Sequence, residues 1–176
     1  MGTTSNFRWP WQYDFPPFFT MQKNADTRFK QTEAWCSLIL DYHNHHKLFR
    51  LRVTDVLASP LFYNKAIDRR LTKPDVIEIL SILHKKGNIE WEDKEKTVCK
   101  VFWKTPAQWS DIIFKWVNQS GLNNTVCTLH EITNGPHSSD QEFYALDDQI
   151  LMQAIQILQA SGKAELMGTE GVKFFT

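Results

Sequence analysis

Three groups of side chains in this sequence have the types that chemistry requires. His43, His45 and His46 lie within four positions around Asn44, and histidines at i and i+3 share a helix face from which zinc can be held. The spacing completes no ligand set, and histidines at the end of a helix are already favoured by its dipole. Cys36, Cys99 and Cys127 are far apart, odd in number and without a CxxC pair. A nucleophilic thiol needs a base beside it, and Cys99 falls in an expected core strand, so these read as reduced, buried thiols of a cytosolic or nuclear protein. Asp147 and Asp148 precede an apolar helical stripe and read as an N-cap pair rather than as paired catalytic carboxylates. No glycine-rich phosphate loop accompanies them. The expectation is a protein without catalysis, metal or cofactor.

The remaining chemistry is that of surfaces. Phe7, Trp9, Trp11, Tyr13, Phe15, Phe18 and Phe19 crowd the first nineteen residues together with Pro10, Pro16 and Pro17, while Arg8 and Asp14 are the only charges there. Each ring covers ~150–250 Å², so the seven offer on the order of 1,000 Å², more than a monomer ordinarily leaves exposed. The prolines fix φ and remove donors, which predicts an extended or polyproline II arm over 1–20. Such a segment suits a groove on another surface, because docking it costs little entropy. The opposing expectation is that the arm folds back over its own domain.

With 176 residues, 42% of them hydrophobic and seven tryptophans, the chain can build one large or two small cores. Its 20 basic and 20 acidic residues argue against a general polyanion binder. The charge is uneven along the chain. Residues 1–104 carry 17 basic and 12 acidic groups, net +5, and residues 105–176 carry 3 and 8, net −5. No apolar run approaches the ~18 residues of a membrane-spanning helix, and the start does not read as a secretion signal.

Helical periodicity predicts four main helices. One runs from a cap at Asp26 to about His46, with Trp35, Leu38, Ile39 and Tyr42 on one face. Another covers 74–86 with Val76, Ile79, Leu80 and Leu83 inward and Gly87 as its stop. A third runs from Pro106 to Gly121 with Trp109, Ile112, Ile113 and Trp116, and a fourth from Asp147 to Gly162 with Leu151, Ala154, Ile155 and Leu158. The elements repeat: Trp35-x-x-Leu-Ile-x-x-Tyr42 matches Trp109-x-x-Ile-Ile-x-x-Trp116 at an offset of 74, and Ile82-Leu83-x-x-x-Gly87 matches Ile157-Leu158-x-x-x-Gly162 at 75. A nearly constant offset marks a duplication. Hairpins are expected after each glycine, short strands at 51–53 and 126–127, and brief helices near 65–71 and 129–134. Helix, strand, helix, helix, hairpin is the order of a winged helix. The fold class expected is therefore α+β, with an arm at 1–20 and tandem winged helices at 21–104 and 105–176. Residues 134–139 read as a flexible loop.

Winged helices often bind DNA through their last helix, which needs cations. The helix at 74–86 opens with Asp75 and Glu78, and that at 147–161 has no cation at all. Arg50, Arg52, Arg69 and Arg70 are the only candidates for phosphate contact, and they read better as a solvated face. A nucleic-acid-binding transcription regulator is therefore the second reading, behind a protein-interaction module.

Trp9-Pro-Trp-Gln-Tyr13-Asp-Phe-Pro-Pro-Phe-Phe19-Thr20, Asp26-Thr27-Arg28 and Trp116-Val117-x-x-Ser120-Gly121-x-Asn123-x-x-Val126-x-Thr128-Leu129-x-Glu131 resemble the vacuolar protein-sorting-associated protein 25 family, the small subunits of the ESCRT-II endosomal sorting complex. The resemblance implies a Y-shaped cytosolic assembly of two different larger subunits with two copies of this chain. It implies that the arm carries two PPxY-like motifs docking on the larger subunits. These fall on Pro10-Trp11-Gln12-Tyr13 and, with Phe15 before it, on Pro16-Pro17-Phe18-Phe19, where Trp11 replaces a proline and Phe19 a tyrosine. It implies further that the second winged helix, on residues unassigned within 105–176, recruits an ESCRT-III subunit, charged multivesicular body protein 6, for sorting ubiquitinated cargo into multivesicular bodies. Membrane contact is then indirect, through the partners, on the endosome. The family's link to transcription elongation leaves room for a nuclear pool.

Overall fold

Each main helix starts where a side chain can take up the backbone N–H groups that a first turn leaves without partners. The computed structural model describes residues 7–176; residues 1–6 of the expected arm lie outside the described residues. Helix α1 (Ala25–His46) is capped by Asn24, whose Oδ1 accepts from Thr27 N at 3.0 Å. The expected cap, Asp26, instead lies in the first turn, where its charge suits the dipole. Thr72 caps α3 (Lys73–Lys85), and Thr105 with Gln108 forms a reciprocal capping box on α4 (Pro106–Gln119). Asp147 accepts from Gln149 N and Ile150 N to start α6 (Asp148–Ala160).

The chain divides into two compact units, one ending at Trp103 and the other spanning Lys104–Thr176. In the first, α1 leads to β1 (Arg50–Arg52), a single turn α2 (Val53–Val56), a small hairpin β2 (Tyr63–Asn64) and β3 (Arg69–Arg70), then α3, β4 (Ile89–Trp91) and β5 (Val98–Val101). Its antiparallel sheet has the order β1-β5-β4. The hairpin stands where a brief helix was expected. Asn64 Oδ1 accepts from Ala66 N at 3.0 Å, and Asp68 takes a left-handed φ of 51°, a turn that closes a hairpin and ends any helix. Trp35, Ile39, Phe62, Ile79, Leu80 and Leu83 are fully buried and form the core.

The second unit repeats the plan with α4, β6 (Val126–Thr128), α5 (Leu129–Asn134), α6, β7 (Ala164–Met167) and β8 (Gly171–Phe174), its sheet ordered β6-β8-β7. Both units close their third helix alike. Gly87 (φ 82°) and Gly162 (φ 76°) adopt the left-handed conformation, so that Asn88 N reaches back to Leu83 O at 2.9 Å and Lys163 N to Leu158 O at 2.8 Å. The helix–strand–helix–helix–hairpin order anticipated from the repeat is thus present in each unit.

Residues 134–139 are not a loose loop. Pro136–Ser138 form a 3-10 turn, and Ser138 is fully buried with its hydroxyl donating to Gly135 O. Gly135 closes α5 by donating to Glu131 O at 3.1 Å; a Cβ there would lie 2.5 Å from that same oxygen. Its φ of −80° is available to any residue, so the demand for glycine is purely one of space. Gly135→Ala is therefore expected to destabilise the second unit by about 1–3 kcal/mol, the ordinary cost of overpacking. A lowered urea midpoint followed by tryptophan fluorescence checks this, since Trp109 and Trp116 are buried there.

Candidate docking surface

Over its described residues the arm is not one continuous extended or polyproline II segment. It forms two consecutive 3-10 turns, Trp11–Asp14 and Pro16–Phe19. Tyr13 N donates to Pro10 O, Phe15 N to Gln12 O and Phe18 N to Phe15 O. Proline's fixed φ suits a first turn as well as an extended chain, and its missing donor is one the turn never uses. Pro16 opens the second turn in this way.

These turns sort the rings onto opposite sides. Tyr13, Phe18 and Phe19 are buried in the first unit. Phe18 lies flat on Trp35, with centroids 4.2 Å apart and planes 2° from parallel, while Phe19 meets the same indole edge-on at 5.3 Å. The backbone is tied down as well. Trp35 Nε1 donates to Phe18 O at 2.9 Å, and Gln31 Nε2 donates to Phe18 O and Thr20 O at 2.9 Å each. Gln31 Nε2 also donates to Pro17 O at 3.3 Å and Oε1 accepts from Gln22 N at 3.0 Å, so one buried amide meets four backbone groups of the chain entering α1. Tyr13 donates its hydroxyl to Pro60 O, and Asn64 Nδ2 donates to Tyr13 O at 2.7 Å. Burial, with lesser contributions from Tyr42 and Asp14, pushes the Tyr13 phenol up to about 12. It remains a donor across the physiological range.

Trp11 and Phe15 face outward, 70% and 48% exposed, with centroids 5.7 Å apart. Pro16 and Pro17 are exposed beside them, and Pro10 is half-buried. Trp11, Phe15, Pro17 and Phe18 wall a groove whose other side is α1, through Thr27, Lys30 and Ala34. The eight residues singled out from the sequence thus separate into a part that completes the first unit's core and a part presented on a rigid turn. Phe19 is buried and packs against Tyr13, Phe18 and Trp35, an apolar setting in which the hydroxyl of a tyrosine would need a buried partner. Gln31, Trp35, Pro60 and Asn64, which hold the arm, carry no local signal of that role. Their partners lie up to 51 residues away in the chain.

The other chemistry-bearing groups are structural here. His43 is buried, and its Nδ1 lies 2.8 Å from Ile39 O; a carbonyl only accepts, so Nδ1 carries the proton. His45 and His46 stack edge-on with each other. Burial drives the His43 pKa down to about 4, the Ile39 bond opposes this, and nearby His46 adds to the drop. Unfolding releases the ring to its ordinary 6.5. The unfolded chain therefore binds the proton first. Stability from this residue is full above pH 6.5, declines as pH falls towards 4 and is constant below, a loss of about 3 kcal/mol. A His43→Leu variant is expected to lack this part of the decline when urea midpoints are compared between pH 7 and 4.5. All three cysteines are buried and unpaired. Burial raises the Cys36 thiol to about 11 and that of Cys99 to about 12, and pushes Cys127 up as well. Thiols so protonated are poor nucleophiles.

Of the arginines considered for phosphate contact, Arg50 is forked onto Glu92 at 2.9 Å, Arg52 lies 3.6 Å from Asp55, and Arg70 covers the Tyr63 ring. Among the described residues, no helix is long and apolar enough to cross a membrane.

Comparison with known proteins gives these features a context. The profile of the ESCRT-II complex subunit family matches residues 12–147. Vacuolar protein-sorting-associated protein 25 of Danio rerio is 47% identical over 173 residues, covering 97% of this chain and 99% of that protein. The Homo sapiens protein of that name is 47% identical with 97% and 98% covered, and the Arabidopsis thaliana protein 38% identical with 99% of each covered. Among solved structures, the crystal structure of subunit VPS25 of the endosomal trafficking complex ESCRT-II superposes with a TM-score of 0.79 at 26% identity, covering 95% of this chain and 99% of that one. A chain of the ESCRT-II complex of VPS22, VPS25 and VPS36 gives 0.75 at 26% identity, with 94% and 98% covered. With a family profile spanning most of its length and relatives this similar end to end, the chain belongs to the ESCRT-II complex subunits, in the vacuolar protein-sorting-associated protein 25 family.

Proposed function

We propose that this chain is a non-catalytic subunit of an ESCRT-II assembly, joined to the two larger subunits by the outward face of its arm, two copies to a complex. The observation that carries this is the exposed pair of Trp11 and Phe15, held on hydrogen-bonded turns with Pro16 and Pro17 beside it. A large aromatic fixed in place by other contacts loses little entropy on docking and is the residue type that dominates interfaces. The test is capture of both larger subunits by the full chain and by Trp11→Ala and Phe15→Ala variants. Equal capture by all three would overturn the assignment of the arm's outer face.

In this reading the second unit, the second of the two winged-helix copies, is the recruiting one. Its net −5 over residues 105–176 complements a basic segment of an ESCRT-III subunit, charged multivesicular body protein 6. The outcome is sorting of ubiquitinated cargo into multivesicular bodies, on the cytoplasmic face of endosomes and with membrane contact supplied by the partners. The alternative, a winged-helix transcription regulator, is not favoured: α6 has no cation along its length, and Arg50 and Arg52 of the first unit pair with Glu92 and Asp55.

A further inference from the structure

The two units repeat one plan at an offset of 74–75 residues, so a segment whose charge reverses between them answers to something other than the fold. The stretch running from the second helix into the third is such a segment. Residues 56–74 carry four basic groups and one acidic, net +3. Residues 131–149, at the same place in the second unit, carry no lysine or arginine and five acidic groups, net −5.

In the first unit these cations sit on and beside the β2–β3 hairpin. Leu61, Phe62 and Leu71 anchor its base in the core, where Leu71 N donates to Phe62 O at 3.0 Å. Beyond that base Lys65, Ala66, Asp68, Arg69 and Arg70 are exposed, and Ile67 is half-buried. The turn is fixed. Asp68 N donates to Lys65 O at 3.2 Å, and the Tyr63 hydroxyl donates to Asp68 Oδ1 at 3.3 Å, which turns the segment's one carboxylate back onto the hairpin. Elsewhere in this unit Arg28, Arg50, Arg52, Lys86 and Lys100 each lie against a carboxylate. Among the described residues, Lys65, Arg69, Arg70 and Lys73 enter no ion pair. Arg69 Nη1 donates to Asp68 O at 3.1 Å, and Arg70 lies over the Tyr63 ring, 4.3 Å from its centroid. Lys73 opens α3, the end of a helix whose dipole favours an anion. Four like charges gathered about one short turn repel each other, and a surface of anions relieves that repulsion.

We propose that the tip of this hairpin rests on an anionic membrane, with its four cations among the lipid headgroups and Ala66 and Ile67 at the headgroup level. Each Lys or Arg near such a surface raises partitioning by about fivefold. A nucleic acid is the weaker match, because stacking needs a free ring and the hairpin's one aromatic, Tyr63, is covered by Arg70. The choice of a membrane rests on the endosomal placement proposed above, and the contact adds to those the partners supply. That placement is tested by capture of the larger subunits, so its failure is read separately from the failure of the hairpin.

The test is sedimentation of the full chain with vesicles of phosphatidylcholine containing about 30% phosphatidylserine, against phosphatidylcholine alone. The variant Lys65→Gln, Arg69→Gln, Lys73→Gln spares Arg70 and its ring contact. It is compared with Lys85→Gln, Lys94→Gln, Lys96→Gln, which removes the same charge from exposed positions elsewhere in the unit. The hairpin variant is expected to bind the anionic vesicles roughly tenfold or more weakly, from three cations at about fivefold each. Its unfolding midpoint should be unchanged, and the control variant should bind as the unmodified chain does. A loss no greater than the control's overturns the hairpin as the contact. Absence of binding by the unmodified chain overturns the membrane contact altogether. Displacement by inorganic phosphate at matched ionic strength assigns the site to free phosphate, and tighter binding to oligouridine than to the vesicles assigns it to nucleic acid; either overturns the membrane. Should the triple variant fail to fold, Lys65→Gln decides against Lys94→Gln: the greater loss in the former supports the hairpin, and equal binding overturns it.

Discussion

Phe18→Ala is expected to cost the first unit about 3–5 kcal/mol, the range for truncating a buried phenylalanine. For a unit of this size that lowers the unfolding midpoint by on the order of 15–30 °C. The ring is 4% exposed and parallel to Trp35, so its removal opens a void against the largest side chain of the core. The carbonyl of the same residue accepts from Trp35 Nε1 and Gln31 Nε2. A shift of the turn would leave the buried Trp35 Nε1 donor without Phe18 O, a further penalty of desolvation. Thermal unfolding followed by circular dichroism measures the effect. A midpoint within a few degrees of the unmodified protein would show that the arm's inner rings are dispensable to the core. The same reasoning expects a chain begun at Met21 to lose much of the first unit's stability, because Trp35 would then face water.

Trp11→Ala is expected to do the opposite: leave the fold alone and remove the partner. The indole is 70% exposed, and surface truncations of this kind usually change stability by less than about 0.5 kcal/mol. As the central aromatic of a docking surface it would carry about 2–4 kcal/mol of binding, some 30- to 1,000-fold in Kd. Aromatic burial is little affected by salt. Loss of capture should therefore persist from low to moderate ionic strength, whereas the acidic second unit's contact should weaken with screening. The pair Phe18 and Trp11 is the informative comparison: two aromatics seven positions apart, one expected to change only stability and the other only association. Tyr13→Ala belongs with Phe18, since its hydroxyl is bonded to Pro60 and its carbonyl to Asn64.

Much of this architecture was legible in the sequence because it is local. Proline in the first turn, a capping threonine or aspartate, an apolar stripe at helical spacing and a glycine stop lie within one helix length of each other, so α3, α4 and α6 were placed to within one or two residues. The 74–75 residue repeat set the order of elements in both units, because covalent succession carries it directly. Charge could also be read: a last helix without cations argues against phosphate whatever its surroundings.

The tertiary structure decided what depends on residues distant in the chain. Seven crowded aromatics signal that something must cover them, but not what. The cover for Tyr13, Phe18 and Phe19 comes from Gln31, Trp35, Pro60 and Asn64, which no spacing rule joins to the arm. Prolines permit both an extended arm and 3-10 turns, and only the available partners select between them. Likewise the loop at 134–139 reads as flexible from its glycine, proline and serines, yet Ser138 is buried by the unit around it. The cationic tip of the first unit stands out only once the fold places a hairpin where a brief helix was expected. Periodicity and capping are properties of neighbours in sequence, and the sequence determined them. Burial is a property of neighbours in space, and the fold had to form before it was settled which rings are core and which are surface.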